Sequence, residues 1–305
     1  MYKGAGFAPG HISGLFGVYA DHPHGSMVGS RGGGLCIEKG AWSLVELRDG
    51  DGRITVNLND VESSAPVTRL ALSMMLKSRG LDANVDIRLD LPIGQGFGMS
   101  SAGTLASAFA VKAALPEIDV DPLMCTHLAE VSVKTGMGDA VAQSMGGMVV
   151  RERQGLPPAG LAKSFKGCGV VVGMVGEPIS TSEMLSNPEI LERTRSLTYG
   201  LLPILSRRPD METFMNISRR FSEEAGLITP SVREALDAVG RIPCSMIMLG
   251  NAVFCMGDEG VVDKLSGLGD VFMVDVAREG AGIVEVSEFE AGKRMRDFEK
   301  ENDEQ

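Results

Sequence analysis

The chain has 305 residues, a formal net charge of −11 at neutral pH and 44% hydrophobic residues. This length and apolar content are sufficient for two hydrophobic cores, so two domains are expected. The excess of acidic side chains argues against a surface that binds nucleic acid or an anionic membrane, because both need concentrated lysine and arginine.

The cysteines and the apolar segments favour a cytoplasmic protein. The cysteines are odd in number and widely spaced, and none belongs to a C-x-x-C pair, so neither a zinc site nor a disulfide framework is expected. Their small or apolar neighbours favour buried, reduced thiols. Pro9 and His11 interrupt the opening segment, which does not resemble an export signal, and Ile242–Met256 is too short to span a bilayer. The cysteines are Cys36, Cys125, Cys168, Cys244 and Cys255.

The first half of the chain predicts a mixed α and β domain. Short strands are expected at Ser43–Leu47 and Ile54–Leu58, and a helix is expected over Ser63–Ser78. The next strand, Val85–Leu89, alternates apolar and polar residues and ends before Pro92. Alternation of this kind is typical of a strand with one buried face.

A glycine-rich segment, P-I-G-Q-G-F-G-M-S-S-A, follows this strand and leads directly into a helix over Ser100–Leu115. The first N–H groups of a helix lack internal partners, and the helix dipole makes that end positive, so a polyphosphate suits it. The segment lacks the lysine of the G-x-x-x-x-G-K-[ST] loop, and its glycine spacing differs from the dinucleotide pattern G-x-G-x-x-G.

The next segments lead to a predicted domain boundary. Asp121 and Pro122 are typical of a helix start, and this helix places His127 and Glu130 on one face. A strand over Met148–Arg151 comes next. The stretch from 154 to 166 is rich in glycine and proline, which indicates a passage between domains over residues 1–155 and 156–305.

The second half predicts further strands and several helices. Thr181 or Ser182 is expected to cap a helix after a turn, and Gly250-Asn251 is expected to form the turn of a hairpin. From Glu290 onward the charged tail is expected to be a frayed helix or a disordered end. The expected strands are Val170–Val175, the two strands of the hairpin Ser245–Met256, Val271–Val276 and Ile283–Val286.

Three segments resemble signatures of the GHMP kinases, a family that includes galactokinase, homoserine kinase and mevalonate kinase. The glycine-rich segment resembles P-x-x-x-G-L-G-S-S-A, and Lys134–Gly147 resembles the stretch that carries a catalytic aspartate. Phe7–Phe16 resembles the first motif, with His11 where a basic residue is usual and without the trailing Glu-His. Pro243–Asn251 stands where a third motif is expected and has less glycine. The resemblance implies an α+β fold, with an N-terminal domain like the second domain of ribosomal protein S5 and a ferredoxin-like C-terminal domain.

The resemblance also implies an ATP-dependent small-molecule kinase that uses Mg²⁺. It makes Asp139 the catalytic base and Ser100 and Glu130 the metal ligands. From the residues alone, Ser100 or Asp139 could instead be a helix cap, and Glu130 could lie on a solvated helix face. The implied nucleotide-binding residues are Pro92, Gly94, Gly96, Phe97, Gly98, Met99, Ser100 and Ser101.

The finer pattern resembles the branch of this family that phosphorylates pantoate to 4-phosphopantoate in archaeal coenzyme A biosynthesis. A-P-G-H-I-S, a glycine-rich loop at Gly29–Gly34, and T-G-x-G-D followed by Arg151 carry this resemblance. Pantoate and ATP are the expected partners, and the enzyme could form a homodimer. Two alternatives are a kinase for another hydroxylated acceptor, of the homoserine or mevalonate type, and a non-catalytic metabolite-binding protein of the same fold. The implied substrate-binding residues are Ser30, His127, Arg151 and Thr181, although His127 could equally be structural.

Overall fold

The computed structural model describes residues 1–134, 137–179 and 186–292. Within these residues, an eight-stranded sheet and a four-stranded sheet are packed with helices. The strands are β1 (Tyr2–Tyr19), β2 (Gly29–Asp49), β3 (Ile54–Leu58), β4 (Val61–Glu62), β5 (Leu81–Leu89), β6 (Met148–Arg153), β7 (Leu161–Phe165), β8 (Val170–Met174), β9 (Cys244–Met246), β10 (Ala252–Cys255), β11 (Asp270–Val274) and β12 (Gly282–Val284). The helices are α1 (Pro66–Leu76), α2 (Met99–Ala114), α3 (Pro122–Val133), α4 (Asp139–Gln143), α5 (Pro188–Arg207), α6 (Met211–Ala225), α7 (Pro230–Val239) and α8 (Glu259–Leu265).

The larger sheet is built around a long antiparallel hairpin of β1 and β2. Its strand order is β12-β1-β2-β5-β3-β4, and β6 pairs with the first part of β2 and with β7. The prediction of a loop at Gly29–Gly34 is wrong, because these residues belong to β2. The glycines serve close packing here: a Cβ on Gly33 would lie 2.6 Å from Leu205 Cδ2 of helix α5.

Helix α2 lies across this sheet and is almost entirely buried. Its residues are small, and they face glycines in β1, so the helix backbone approaches the strand closely. A Cβ on Gly6 would lie 2.2 Å from the Ala106 carbonyl oxygen. The alternating apolar residues of β5, from Leu81 to Leu89, are buried as the sequence predicts. Each fully buried aliphatic side chain of this kind contributes about 1.5–3 kcal/mol to folding.

The smaller sheet has the order β11-β8-β10-β9, with all of its strands antiparallel. Helices α5, α6 and α7 connect β8 to β9, and α8 connects β10 to β11. This is the strand order and helix placement of a ferredoxin-like domain, which the family resemblance implies. Asn187 accepts hydrogen bonds from the N–H groups of Glu189 and Ile190 and so caps the start of α5.

Two strands from beyond residue 155 belong to the larger sheet. β7 pairs with β6, and β12 pairs with β1 through the register Ala5 to Val284. Strands from both sides of residue 155 thus share one sheet, and the division of the chain into two domains at that residue stays a prediction. Residues 286–292 are helical, and the part of the tail from 293 to 305 lies outside the described residues. No helix in the described ranges has the length and apolar character needed to cross a membrane.

The prediction that all cysteines are reduced and buried is wrong at three positions. Cys244 and Cys255 form a disulfide, because the antiparallel pairing of β9 and β10 places them directly opposite each other. Cys168 is free as expected but exposed, and Cys36 and Cys125 are free and buried as expected. Opposition across a hairpin depends on strand register, which the spacing of cysteines in the sequence does not reveal.

Candidate active site

A cavity of about 310 Å³ lies where the start of α2 faces β1, β2, α3, α4 and β6. The glycine-rich segment forms one wall, and Met248 and Leu249 of the third-motif segment also line the cavity. The polar side chains that line the cavity are Ser13, Ser30, Ser100, Ser101, Glu130, Asp139 and Arg151. Because the predicted nucleotide loop and the predicted base share this cavity, its walls can bring a phosphate and an acceptor together.

Backbone N–H groups at the start of α2 are available to a ligand. The residue before the helix is Gly98, with φ of +64° and no side chain that caps the helix. A side chain there would be strained, and a Cβ would lie 3.0 Å from Gln143 Nε2 and 3.2 Å from Asp139 Cγ. Ser100 is the second residue of the helix, so the alternative that Ser100 is the helix cap is wrong. The uncapped end is therefore suited to an anion.

Asp139 is the first residue of α4, and its side chain is 24% exposed. Gly138 occupies the capping position, so Asp139 is not the helix cap. Asp139 Oδ1 lies 2.7 Å from His11 Nδ1. Gln143, at the end of α4, donates from Nε2 to the Gly98 carbonyl oxygen at 3.0 Å, which ties α4 to the glycine-rich segment.

Glu130 is buried, with 1% of its surface exposed, so the interpretation as a solvated helix face is wrong. Burial raises the pKa of its carboxyl to about 8, and the negative charge of Asp139 acts in the same direction, while the neighbouring Ser101 hydroxyl lowers it. Glu130 Oε2 and Ser101 Oγ are both buried, and neither has a partner at hydrogen-bonding geometry among the described residues. An unpaired buried carboxylate oxygen is suited to a cation.

Arg151 projects from β6 into the floor of the cavity and is 2% exposed. Its Nη2 donates to Ser30 Oγ at 3.4 Å, and its Nη1 lies 3.4 Å from His11 Nε2. Burial lowers the pKa of the guanidinium, and Asp139 and then Cys36 oppose this effect. The Nε atom is buried and has no partner in the described part of the chain, which leaves a donor for a bound anion.

Two of the predicted site residues do not line the cavity, and a third lies outside the described residues. His127 is fully buried, does not line the cavity, and has its Nε2 3.2 Å from the Gly25 carbonyl oxygen. Burial lowers the pKa of this imidazole, which favours its neutral form. Pro92 is exposed and lies outside the cavity lining, at the end of the β5 segment. Thr181 lies outside the described residues.

His11 lies between Asp139 and Arg151, and it is not among the residues to which the sequence motifs give a function. Its position in A-P-G-H, where a basic residue is usual, was the available signal. The third-motif segment packs directly on the glycine-rich segment, since a Cβ on Gly250 would lie 2.2 Å from the Gln95 backbone. This contact brings Met248 and Leu249 to the cavity.

Known sequences match this chain over most of its length. The model for the GHMP kinases N terminal domain matches residues 66–147. The pantoate kinase of Methanospirillum hungatei JF-1 is 30% identical over 292 residues, which cover 91% of this chain and 95% of that protein. The pantoate kinase of Methanocaldococcus jannaschii is 30% identical over 264 residues, covering 85% of this chain and 95% of that protein.

Solved structures also match almost the whole chain. A phosphotransferase related to the CoA biosynthesis pathway superimposes with a TM-score of 0.81 at 26% identity and covers 94% of this chain and 99% of its own. Mevalonate diphosphate decarboxylase from Staphylococcus aureus superimposes with a TM-score of 0.69 at 15% identity, over 93% of this chain and 98% of its own. At that identity the second match shows a common fold alone.

Proposed function

Because the chain belongs to the pantoate kinase family of the GHMP kinases, we propose that it transfers the terminal phosphoryl group of ATP to the primary hydroxyl of pantoate. The product is 4-phosphopantoate, an intermediate of archaeal coenzyme A biosynthesis. The observation that carries the proposal is one cavity lined by an uncapped helix start, a carboxylate at Asp139 and a buried guanidinium at Arg151. These groups suit a polyphosphate, a hydroxyl proton and a carboxylate, respectively.

The nucleotide phosphates would lie against the start of α2. Its free N–H groups and dipole stabilise negative charge, and the backbone at Gly98 leaves room for it. The lining residues that extend this wall are Gly94, Gly96, Phe97, Met99, Ser100 and Ser101. No lysine is needed in the loop itself, because the helix end supplies the positive potential.

Glu130 and Ser100 would hold a magnesium ion. Within the described ranges, no group of three or more His, Cys, Asp or Glu side chains is arranged for a metal. Mg²⁺ in phosphoryl-transfer sites takes only one or two protein oxygens, however, and the unpaired Oε2 of Glu130 fits that need. When bound, the ion neutralises charge on the phosphate oxygens. Ser101 Oγ, which has no hydrogen-bond partner at normal geometry among the residues described, lines the same cavity.

The acceptor would be oriented by Arg151 and Ser30 and activated by Asp139. A guanidinium binds a carboxylate through two parallel hydrogen bonds, which would fix one end of pantoate on the floor of the cavity. Since Oδ1 of Asp139 is engaged by His11, its Oδ2 is the atom that would accept the hydroxyl proton. The acceptor oxygen then bonds to the terminal phosphorus, and the bond to the leaving ADP breaks.

An acceptor panel tests this function. Release of ADP would be measured with pantoate, homoserine, mevalonate and shikimate, with Asp139→Asn as the matched control. We expect turnover with pantoate and a loss of about 10²- to 10⁴-fold in kcat for the variant. Turnover only with another acceptor would reject pantoate while keeping a kinase. ATP turnover that needs no acceptor and is unchanged in Asp139→Asn would reject the kinase.

Location and assembly complete the proposal. An enzyme that consumes ATP and a metabolic acid works where both are supplied, and we therefore propose a cytoplasmic location. A homodimer is proposed as the assembly, and light scattering should then give twice the mass of one chain. A mass equal to one chain would reject the homodimer and would leave the proposed reaction unaffected.

A further inference from the structure

We propose that His11 is a positioning residue, whose neutral imidazole holds Asp139 and Arg151 together through a single tautomer with the proton on Nδ1. This inference rests on the proposed function and adds a residue to it. His11 lies within β1 and is fully buried. Its backbone N–H donates to the Phe97 carbonyl oxygen at 2.9 Å, which anchors the strand to the glycine-rich segment. The ring is therefore held between the glycine-rich segment, which would bind the nucleotide, and Arg151, which would bind the acceptor.

The two neighbours of the ring determine where its proton lies. Nε2 lies 3.4 Å from Arg151 Nη1, and a guanidinium can only donate, so Nε2 must accept and carries no hydrogen. A neutral imidazole then has its hydrogen on Nδ1, which donates to Asp139 Oδ1 at 2.7 Å. The tautomer follows from the chemistry of the partners alone. An imidazolium would place an N–H against the N–H of Arg151, which is unfavourable in a buried site.

The surroundings of the ring also favour the uncharged form. Asp139 on α4 and Arg151 on β6 are the charged groups that face it, and the thiol of Cys36 on β2 lies opposite in the strand register. Burial lowers the pKa of His11, Asp139 raises it and Arg151 lowers it further, with a net decrease. A neutral ring also leaves the carboxylate of Asp139 with its full charge for the hydroxyl proton.

Space for the ring depends on a glycine in the neighbouring strand. A Cβ on Gly34 of β2 would lie 2.1 Å from His11 Nε2. Any side chain at this position would displace the ring from the place where it contacts both Arg151 and Asp139. The glycine-rich run of β2 thus has a function at the site as well as in helix packing.

The arrangement separates two roles for the ring. Its Nδ1–H fixes Asp139 Oδ1, which leaves Oδ2 for the acceptor hydroxyl. Its Nε2 accepts a hydrogen bond from Arg151 Nη1, Ser30 Oγ accepts one from Nη2, and Nε has no partner within the described ranges. Loss of the first contact should lower kcat, because the base loses its orientation. Loss of the second should raise the KM for pantoate, because the guanidinium that binds the carboxylate is no longer fixed.

Two substitutions separate the roles. The amide nitrogen of asparagine stands near the position of Nδ1, whereas the amide of glutamine reaches the position of Nε2. We expect His11→Asn to keep kcat within about 3-fold and to raise the KM for pantoate about 10-fold, since it keeps the donor to Asp139. We expect His11→Gln to lower kcat about 100-fold or more, by analogy with catalytic bases that lose their orienting partner. Equal effects of the two variants on kcat would overturn the proposal.

A spectroscopic measurement tests the tautomer without any turnover. In ¹⁵N-histidine protein, the two ring nitrogens of His11 should give one protonated signal at Nδ1 and one unprotonated signal at Nε2, unchanged from about pH 6 to about pH 8. The signals are assigned by their loss in His11→Asn. A protonated Nε2, or a ring that takes a second proton in this range, would overturn the proposal. Because this readout needs no substrate, it remains decisive even if the acceptor panel rejects the proposed reaction.

Discussion

Replacing Glu130 by glutamine keeps the size and shape of the side chain but removes its ability to ionise. The carboxyl is buried, and its Oε2 has no partner at hydrogen-bonding geometry in the described part of the chain, so its environment disfavours the charged form. Glu130→Gln should therefore change how the free energy of unfolding depends on pH. Glu130 lies beside Ser101 and near Asp139, so this dependence directly measures the environment of the carboxyl that would hold the metal ion.

The sign and size of the effect follow from the pKa of Glu130 in the fold, about 8, against an ordinary value of 4.5. Because the pKa of Glu130 is raised in the folded protein, its contribution to the free energy of unfolding is fully present below about pH 4.5 and is lost as the pH rises towards about 8. Between the two, the folded protein keeps a proton that the unfolded chain releases. Each pH unit then costs about 1.4 kcal/mol, or roughly 3 kcal/mol from about pH 5 to about pH 7.

Urea unfolding of both proteins in a metal chelator measures this difference. The two proteins share all other titrating groups. As the pH rises, the free energy of unfolding of the wild type should therefore fall more steeply than that of Glu130→Gln, by roughly 3 kcal/mol over about two pH units. Addition of Mg²⁺ with a non-hydrolysable nucleotide should flatten the wild-type slope, because a bound cation stabilises the carboxylate. Parallel slopes in the two proteins would refute the reasoning and would mean that solvent or a positive charge reaches Glu130.

Three further substitutions test the other groups of the cavity. Asp139→Asn should lower kcat about 10²- to 10⁴-fold with little change in the KM for ATP, measured by ADP release, and an unchanged kcat would reject Asp139 as the base. Arg151→Lys should raise the KM for pantoate by roughly 10-fold or more, because lysine cannot form the paired hydrogen bonds, whereas the exposed Arg153→Lys on the same strand should not. Gly98→Ala should raise the KM for ATP, because its φ is +64° and its Cβ would meet Gln143, whereas Gly267→Ala, with no atom within 4 Å, should behave as wild type.

The sequence identified the parts of the site that depend on local pattern. The strand, the glycine-rich turn and the helix after it are confirmed as structural elements, because their signals lie close together in the sequence: alternating apolar residues in the strand, glycines in the turn and small residues in the helix. Nucleotide binding by this segment stays a prediction. The strand order of the ferredoxin-like domain is confirmed as well, although it entered through a family resemblance. The family motifs point to Asp139 as the base and to Glu130 as a metal ligand, and these functions stay predictions.

Other features depend on contacts between distant segments, which local patterns do not specify. The sequence does not place the first motif in a long strand, and only the register of β1 with β2 brings His11 opposite Cys36 and close to Gly34. The amphipathic spacing of α3 indicated that Glu130 and His127 share a face. It could not indicate that both side chains are buried in different surroundings. Glu130 lines the cavity, whereas His127 contacts the Gly25 carbonyl oxygen.

The pairing of β12 with β1 has a consequence for how the protein is made. β1 leaves the ribosome well before its outer neighbour, Gly282–Val284, because strands β2 to β11 lie between the two in the chain. During translation this edge has unpaired N–H and C=O groups that can associate with other chains. A nascent chain that stalls before β12 should therefore aggregate more readily than one that includes this strand. The glycines of β1, which leave little apolar surface on the edge, would limit that hazard.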